Sequence, residues 1–169
     1  MHLQAGLFLS CDTTKFVILK VGEKSEIEKY ISASEAYLRD TQHHRHMIYE
    51  GWPNLQLQCP VCGFKNCAVY KGYYQRIYVC PEMEHFGSLT IRNGWCKNTN
   101  KRFALIPDFL IPRRRISKFG HELLLERYKI HKPKLQNAID DWMEGLGDEF
   151  YLPLSTSRNY LKIQSSFPP

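Results

Sequence analysis

The spacing of apolar residues changes period several times along this chain, and each change predicts a different element. Leu3 to Ser10 and Lys15 to Val21 are apolar and β-branched, with Cys11-Asp12-Thr13-Thr14 between them, so they predict a small hairpin. A helical period follows. Ile27, Tyr30, Ile31, Ser34 and Leu38 recur at helical spacing, and Ser25 followed three residues later by Glu28 has the form of a capping box. The helix should run from about Glu26 into the forties and stop before Gly51-Trp52-Pro53-Asn54.

Beyond that break the period shortens. Val69 to Val79 and Ser88 to Trp95 read as two strands between cysteine-bearing turns, the order of a zinc ribbon, and Pro107 and Pro112 bracket an apolar extended piece. After Arg113-Arg114-Arg115 the helical period returns, with Ile116, Phe119, Leu123, Leu124 and Tyr128 on one side. Pro133 suits the first position of a second helix whose apolar face is Leu135, Ala138, Ile139, Trp142, Met143 and Leu146, ending at Gly145 or Gly147. Ser155 can cap a third helix from Thr156 to about Gln164. The expected fold class is α+β in three parts: an N-terminal hairpin and helix (1–56), a zinc ribbon (57–112) and a basic, helix-turn-helix-like region (113–169).

Composition narrows the function. With 43% hydrophobic and 13% aromatic residues in 169, the chain is globular in type. No apolar run approaches the ~18 residues of a membrane span. Leu7-Phe8-Leu9-Ser10-Cys11 faintly resembles a lipoprotein cleavage site, but no Lys or Arg precedes it, so the expectation is a cytoplasmic protein without membrane contact. In a reduced compartment the six cysteines favour metal over disulfides. Charge is concentrated: residues 101–134 hold ten Lys or Arg against three Asp or Glu, a net of +7 in a chain whose total is +6. Such a segment is either a solvated face or a footprint for phosphates, and its place beside a cysteine knuckle favours the footprint.

Cys59-Pro60-Val61-Cys62-Gly63 is the strongest local motif. Two thiolates two residues apart can grip one Zn²⁺, and a structural site wants four ligands in a tetrahedron. A regular ribbon supplies a second Cys-x-x-Cys, whereas here Cys96 is followed by Lys97-Asn98-Thr99. The fourth ligand is therefore open. Cys67 leads because it lies close to the first knuckle in sequence; Cys80 and His85 should sit towards the far tip of the hairpin.

These residues, together with Lys71-Gly72-Tyr73-Tyr74-Gln75-Arg76, Ile91-Arg92 and above all Leu105-Ile106-Pro107-Asp108-Phe109-Leu110-Ile111-Pro112, resemble a bacterial family catalogued as a domain of unknown function. That family is similar to N-terminal parts of insertion-sequence transposases in which a zinc ribbon precedes a helix-turn-helix. The resemblance spans about residues 57–165. It implies one structural zinc held by Cys59, Cys62 and Cys96, with Thr99 where the fourth cysteine would stand, and it implies DNA binding.

Independently of the family, Thr156, Ser157, Arg158 and Asn159 at a capped helix start have the chemistry of a recognition helix in a major groove. Arg113, Arg114, Arg115 and Lys118 can clamp phosphates. Tyr70, Tyr73, Tyr74 and Tyr78, interleaved with Lys71 and Arg76, either stack unpaired bases or cover a thin core. His43-His44-Arg45-His46 reads as helix surface, since Arg45 spoils a catalytic histidine pair. No Gly-rich phosphate loop, Gly-x-Ser-x-Gly or His-Glu-x-x-His occurs, and Asp140-Asp141 and Glu122/Glu126 read as solvated carboxylates. The function expected is that of a non-enzymatic zinc-ribbon protein binding double-stranded DNA, a regulator or accessory factor related to mobile elements. The competing expectation is an adaptor that docks a larger protein partner, and a weaker third is a small nuclease or recombinase.

Overall fold

The computed structural model describes residues 15–40, 46–132 and 134–144. The expected strand Leu3–Ser10, Cys11, His43 to Arg45, Pro133, the helix stop at Gly145 or Gly147 and the helix from Thr156 lie outside them. In chain order the elements are β1 (Lys15–Leu19), α1 (Lys24–Arg39), β2 (Ala68–Cys80), a single 3-10 turn (Pro81–Met83), β3 (His85–Cys96), β4 (Lys101–Pro107), α2 (Lys118–His131) and α3 (Leu135–Glu144). The four strands form one sheet in the order β1-β4-β3-β2. Among the described residues no helix is long and apolar enough to cross a membrane.

The long hairpin of β2 and β3 runs antiparallel from Ala68 opposite Cys96 to Cys80 opposite His85. It matches the two expected strands. The third strand, β4, was not anticipated: Phe103 to Pro107 is buried without interruption, so it lacks the alternation that marks a half-exposed strand. Between Pro107 and Pro112 the chain is not extended as expected but turns, with a lone bridge from Leu110 to Ser117. Asp108 sets the turn. Its backbone N–H donates to the Leu19 carbonyl at 2.8 Å, and its carboxylate accepts from the Val21 N–H at 3.1 Å. Among the described residues β1 pairs in parallel with β4, Lys15 opposite Phe103 and Leu19 opposite Pro107. A parallel pair needs a long crossover, and here it contains α1 and the whole β2–β3 hairpin.

The helix α1 begins at Lys24, so Ser25 lies inside it and the expected capping box does not form. The Glu23 carbonyl instead accepts from the N–H groups of Glu26 and Ile27. What fixes α1 is a tertiary device. β4 pairs with β3 only from Arg92 to Cys96, which leaves the ladder groups of Thr90 without a strand partner on that side. Two buried α1 side chains take its place: Ser34 Oγ accepts from the Thr90 N–H at 2.8 Å, and Tyr30 OH donates to the Thr90 carbonyl at 2.6 Å. Burial raises the Tyr30 pKa far above its usual value, so the hydroxyl keeps the proton it donates. Leu19, Val21, Tyr30, Ile31, Met47 and Leu55 share one core with Leu89, Ile91, Phe103 and Leu105, so apolar packing crosses position 56 without a break.

The basic loop Arg113–Arg115 is stitched to the sheet before α2 starts. Val79 N–H donates to the Arg115 carbonyl and Ser117 N–H to the Val79 carbonyl, at 3.0 and 2.8 Å, which covers the outer edge of β2. Ser117 then caps α2: its Oγ accepts from the Gly120 N–H at 3.0 Å and donates to Glu82 at 2.8 Å. Contrary to expectation Ile116 precedes the helix and Phe119 is half exposed, while Leu124 is buried. The described part of α3 is ten residues long. It stands because Ala138, Ile139 and Trp142 are buried, the last two against Ile116, Leu124 and Val79, at roughly 1.5 to 3 kcal/mol for each large side chain. Asp141 is not simply solvated; it sits 3.0 Å from His131 Nε2 and 3.6 Å from Arg127.

Candidate metal centre

At one end of the β2–β3 hairpin, Cys59, Cys62, Cys67 and Cys96 bring their sulfur atoms within 4.8 Å of one another. Three come from one short loop and the fourth from the last residue of β3. The loop is wound by its own backbone. Gly63 N–H donates to the Cys59 carbonyl and Cys59 N–H to the Phe64 carbonyl, both at 2.9 Å, while Val61 N–H points at the Cys59 sulfur at 3.4 Å. Gly63 has φ +80°, in the left-handed region that glycine enters without cost. Cys67 lies directly before β2, and Lys97 N–H donates to its carbonyl at 2.8 Å, which ties it to the turn that carries Cys96.

The sulfur spacing fits a tetrahedral ion. Metal–sulfur bonds of ~2.3 Å in a tetrahedron place sulfurs ~3.8 Å apart. Cys62 to Cys67 is 3.3 Å and Cys96 to Cys62 is 3.6 Å, both far longer than the ~2.05 Å of a disulfide. The four residues could therefore hold one metal ion. Their thiols are also electrically unequal. Burial, with hydrogen bonds from the protonated Cys67 thiol to its three neighbours, pushes that thiol up to about 12. Burial also pushes Cys96 up, but hydrogen bonds from the Thr99 side chain and backbone, and from Cys62 and Cys59, outweigh it and hold Cys96 at about 6. Thr99, three residues after Cys96, thus favours the Cys96 thiolate as a donor.

The other residues weighed as fourth ligand are elsewhere. Cys80 and His85 face each other at the opposite end of the hairpin, twelve strand positions from Ala68, or roughly 40 Å at ~3.3 Å per residue. Cys80 is fully buried and its thiol is driven well above the usual range by that burial. His85 Nδ1 lies 3.3 Å from Glu35, and burial lowers its pKa against the opposing pull of that carboxylate.

Basic residues frame the four-thiol end. Lys65, Lys97, Lys101 and Arg102 are exposed on the loop, on the β3–β4 turn and at the start of β4, and the Lys15 ammonium lies 3.4 Å from the Val61 carbonyl. Of the expected phosphate clamps, Arg113 is exposed and stacks over Phe16 at 5.3 Å, Arg114 is half-buried, and Arg115 and Lys118 are exposed. Thr156, Ser157, Arg158 and Asn159 lie outside the described residues. Arg92, named above only for the family resemblance, belongs to a cluster that local sequence does not mark. Arg92 lies over Tyr70 at 3.6 Å, with Trp52 at 5.1 Å and Tyr73 at 5.5 Å, and only the pairing of β2 with β3 across 19 residues brings it there. No family model matches the chain, and neither a curated protein nor a solved structure is significantly similar to it.

Proposed function

We infer that this protein is a non-catalytic zinc-ribbon protein that binds double-stranded DNA, a regulator or accessory factor related to mobile elements. The observation that carries this reading is the four-thiol site bordered by exposed Lys65, Lys97, Lys101 and Arg102. A structural metal would stiffen the loop and the β3–β4 turn, so these cations would meet phosphates without first losing chain entropy. Arg113, on the loop that reaches Phe16 of β1, and Lys118, at the start of α2, add further exposed positive charge. Zinc is the metal favoured for four thiolates in a tetrahedron.

Titration of a fluorescent duplex at several salt concentrations tests it. Affinity should fall steeply with salt, and Lys118→Ala should weaken all sequences about equally while lowering the salt slope by roughly one phosphate. Arg158→Ala should act on a preferred site only, by ~1 to 3 kcal/mol, if the terminal segment reads bases. Absence of duplex affinity at low salt would reject the reading. The adaptor alternative is favoured by one feature: Leu57 and Phe64 on the cysteine loop are 65% and 68% exposed. Apolar side chains so placed suit a protein partner better than a phosphate backbone.

A further inference from the structure

Beside the sheet edge is a pocket of about 370 Å³ between α1 and β2, lined by none of the four cysteines. Its walls include the rings of Tyr37, Tyr70 and Tyr73, and Lys71, His46 and Arg92 open onto it. The pocket exists because β2 departs from regular pairing here. The register slips between Tyr70 and Gly72, leaving Lys71 without a partner, and Gly72 adopts φ +136°, where a side chain would be strained. Such a bulge re-aims side chains at a strand edge.

Among the described residues the cations of the pocket have no carboxylate to compensate them. Arg92 is half-buried against Tyr70, Trp52 and Tyr73, and Lys71 lies over Trp95 at 5.3 Å; among the described residues neither has a carboxylate partner. Ring faces hold a guanidinium but leave its N–H donors available along the edge. Two cations side by side, with the exposed His46 next to them, suit an anion. Tyr37 and Tyr73, tilted by 42° with centroids 5.0 Å apart, add aromatic surface beside them. A phosphate attached to a planar ring satisfies both halves of this arrangement.

We propose that this pocket binds an unpaired nucleotide of a single nucleic-acid strand, its phosphate on Arg92 and Lys71 and its base against the tyrosine rings. The residues of this site are distinct from those assigned above to duplex, so variants can make the two fail independently. Stacking on aromatic side chains tolerates every base, so the strand is bound without strong sequence preference.

The test uses the full chain with a fluorescein-labelled 12-nucleotide oligo(dT), an abasic strand of equal length, and a blunt duplex. Lys71→Gln, an exposed position, and Tyr37→Leu should each weaken oligo(dT) about tenfold, leave duplex affinity within about twofold and leave metal content unchanged, and Lys71→Gln should also leave melting unchanged. The abasic strand should bind the original protein about tenfold less tightly than oligo(dT), and Tyr37→Leu should erase that difference. Ultraviolet crosslinking should place base adducts on Tyr37, Tyr70 or Tyr73. Unchanged oligo(dT) affinity in both variants, adducts confined to other residues, or competition by inorganic phosphate as effective as by the oligonucleotide would each overturn the proposal. Loss of duplex binding with retained oligo(dT) binding would reject only the duplex reading.

Discussion

The two ends of the β2–β3 hairpin carry the same residue types and opposite chemistry. At one end four thiols converge within 4.8 Å in a loop wound by N–H groups, flanked by exposed lysines. At the other, Cys80 is sealed in the core and His85 is turned to Glu35, with its Nε2 buried and without a partner. Residue type alone therefore predicts little. Convergence and donor geometry make a metal site out of cysteine, while solitary burial makes it a small apolar side chain.

The largest expected effect separates the two ends directly. Cys62→Ser should release the metal and unfold the loop together with the β3–β4 turn, because structural-zinc binding energy, ~10 to 16 kcal/mol in small zinc domains, is folding energy. Cys80→Ser should leave metal content unchanged. It places a hydroxyl in a fully buried apolar site and should cost ~1 to 3 kcal/mol by denaturant melting, a moderate loss spread over the whole fold. If Cys80→Ser released metal, the distinction between the ends would collapse.

A smaller effect appears in the metal-free protein as a function of pH. The Cys96 thiol is held at about 6 against an ordinary 9.0, so its thiolate stabilises the folded form fully above about pH 9, and that contribution disappears as pH falls through about 6. Thiolate absorbance should show a step near pH 6 that Cys96→Ser removes and Thr99→Val moves upward. Cys80, raised by burial, should contribute no step at neutral pH.

Local signals explain what could be read in advance. The spacing of Cys59, Cys62 and Cys67 is local, so their convergence was open to sequence reasoning, and the two strands of the hairpin carried enough aromatic and β-branched residues to be placed. The apolar face of α3 was equally plain, since Ala138, Ile139 and Trp142 keep the helical period. Long-range features left no trace. β4 is buried without alternation from Phe103 to Pro107, the parallel pairing of β1 with β4 joins residues 88 apart, and the anchoring of α1 by Ser34 and Tyr30 depends on where the β3–β4 pairing ends. Arg92 looked like an ordinary strand residue. Its three rings come from two separate segments, and only the fold assembles them.

Elemental analysis of reduced, chelator-washed protein, paired with the Cys67→Ser variant, tests the central claim most directly. We expect about one zinc per chain in the original sequence, as a single tetrahedral site requires, and a loss of most of it in Cys67→Ser but not in Cys80→Ser. A folded protein with no bound metal and four freely titrating thiols at Cys59, Cys62, Cys67 and Cys96 would contradict the assignment.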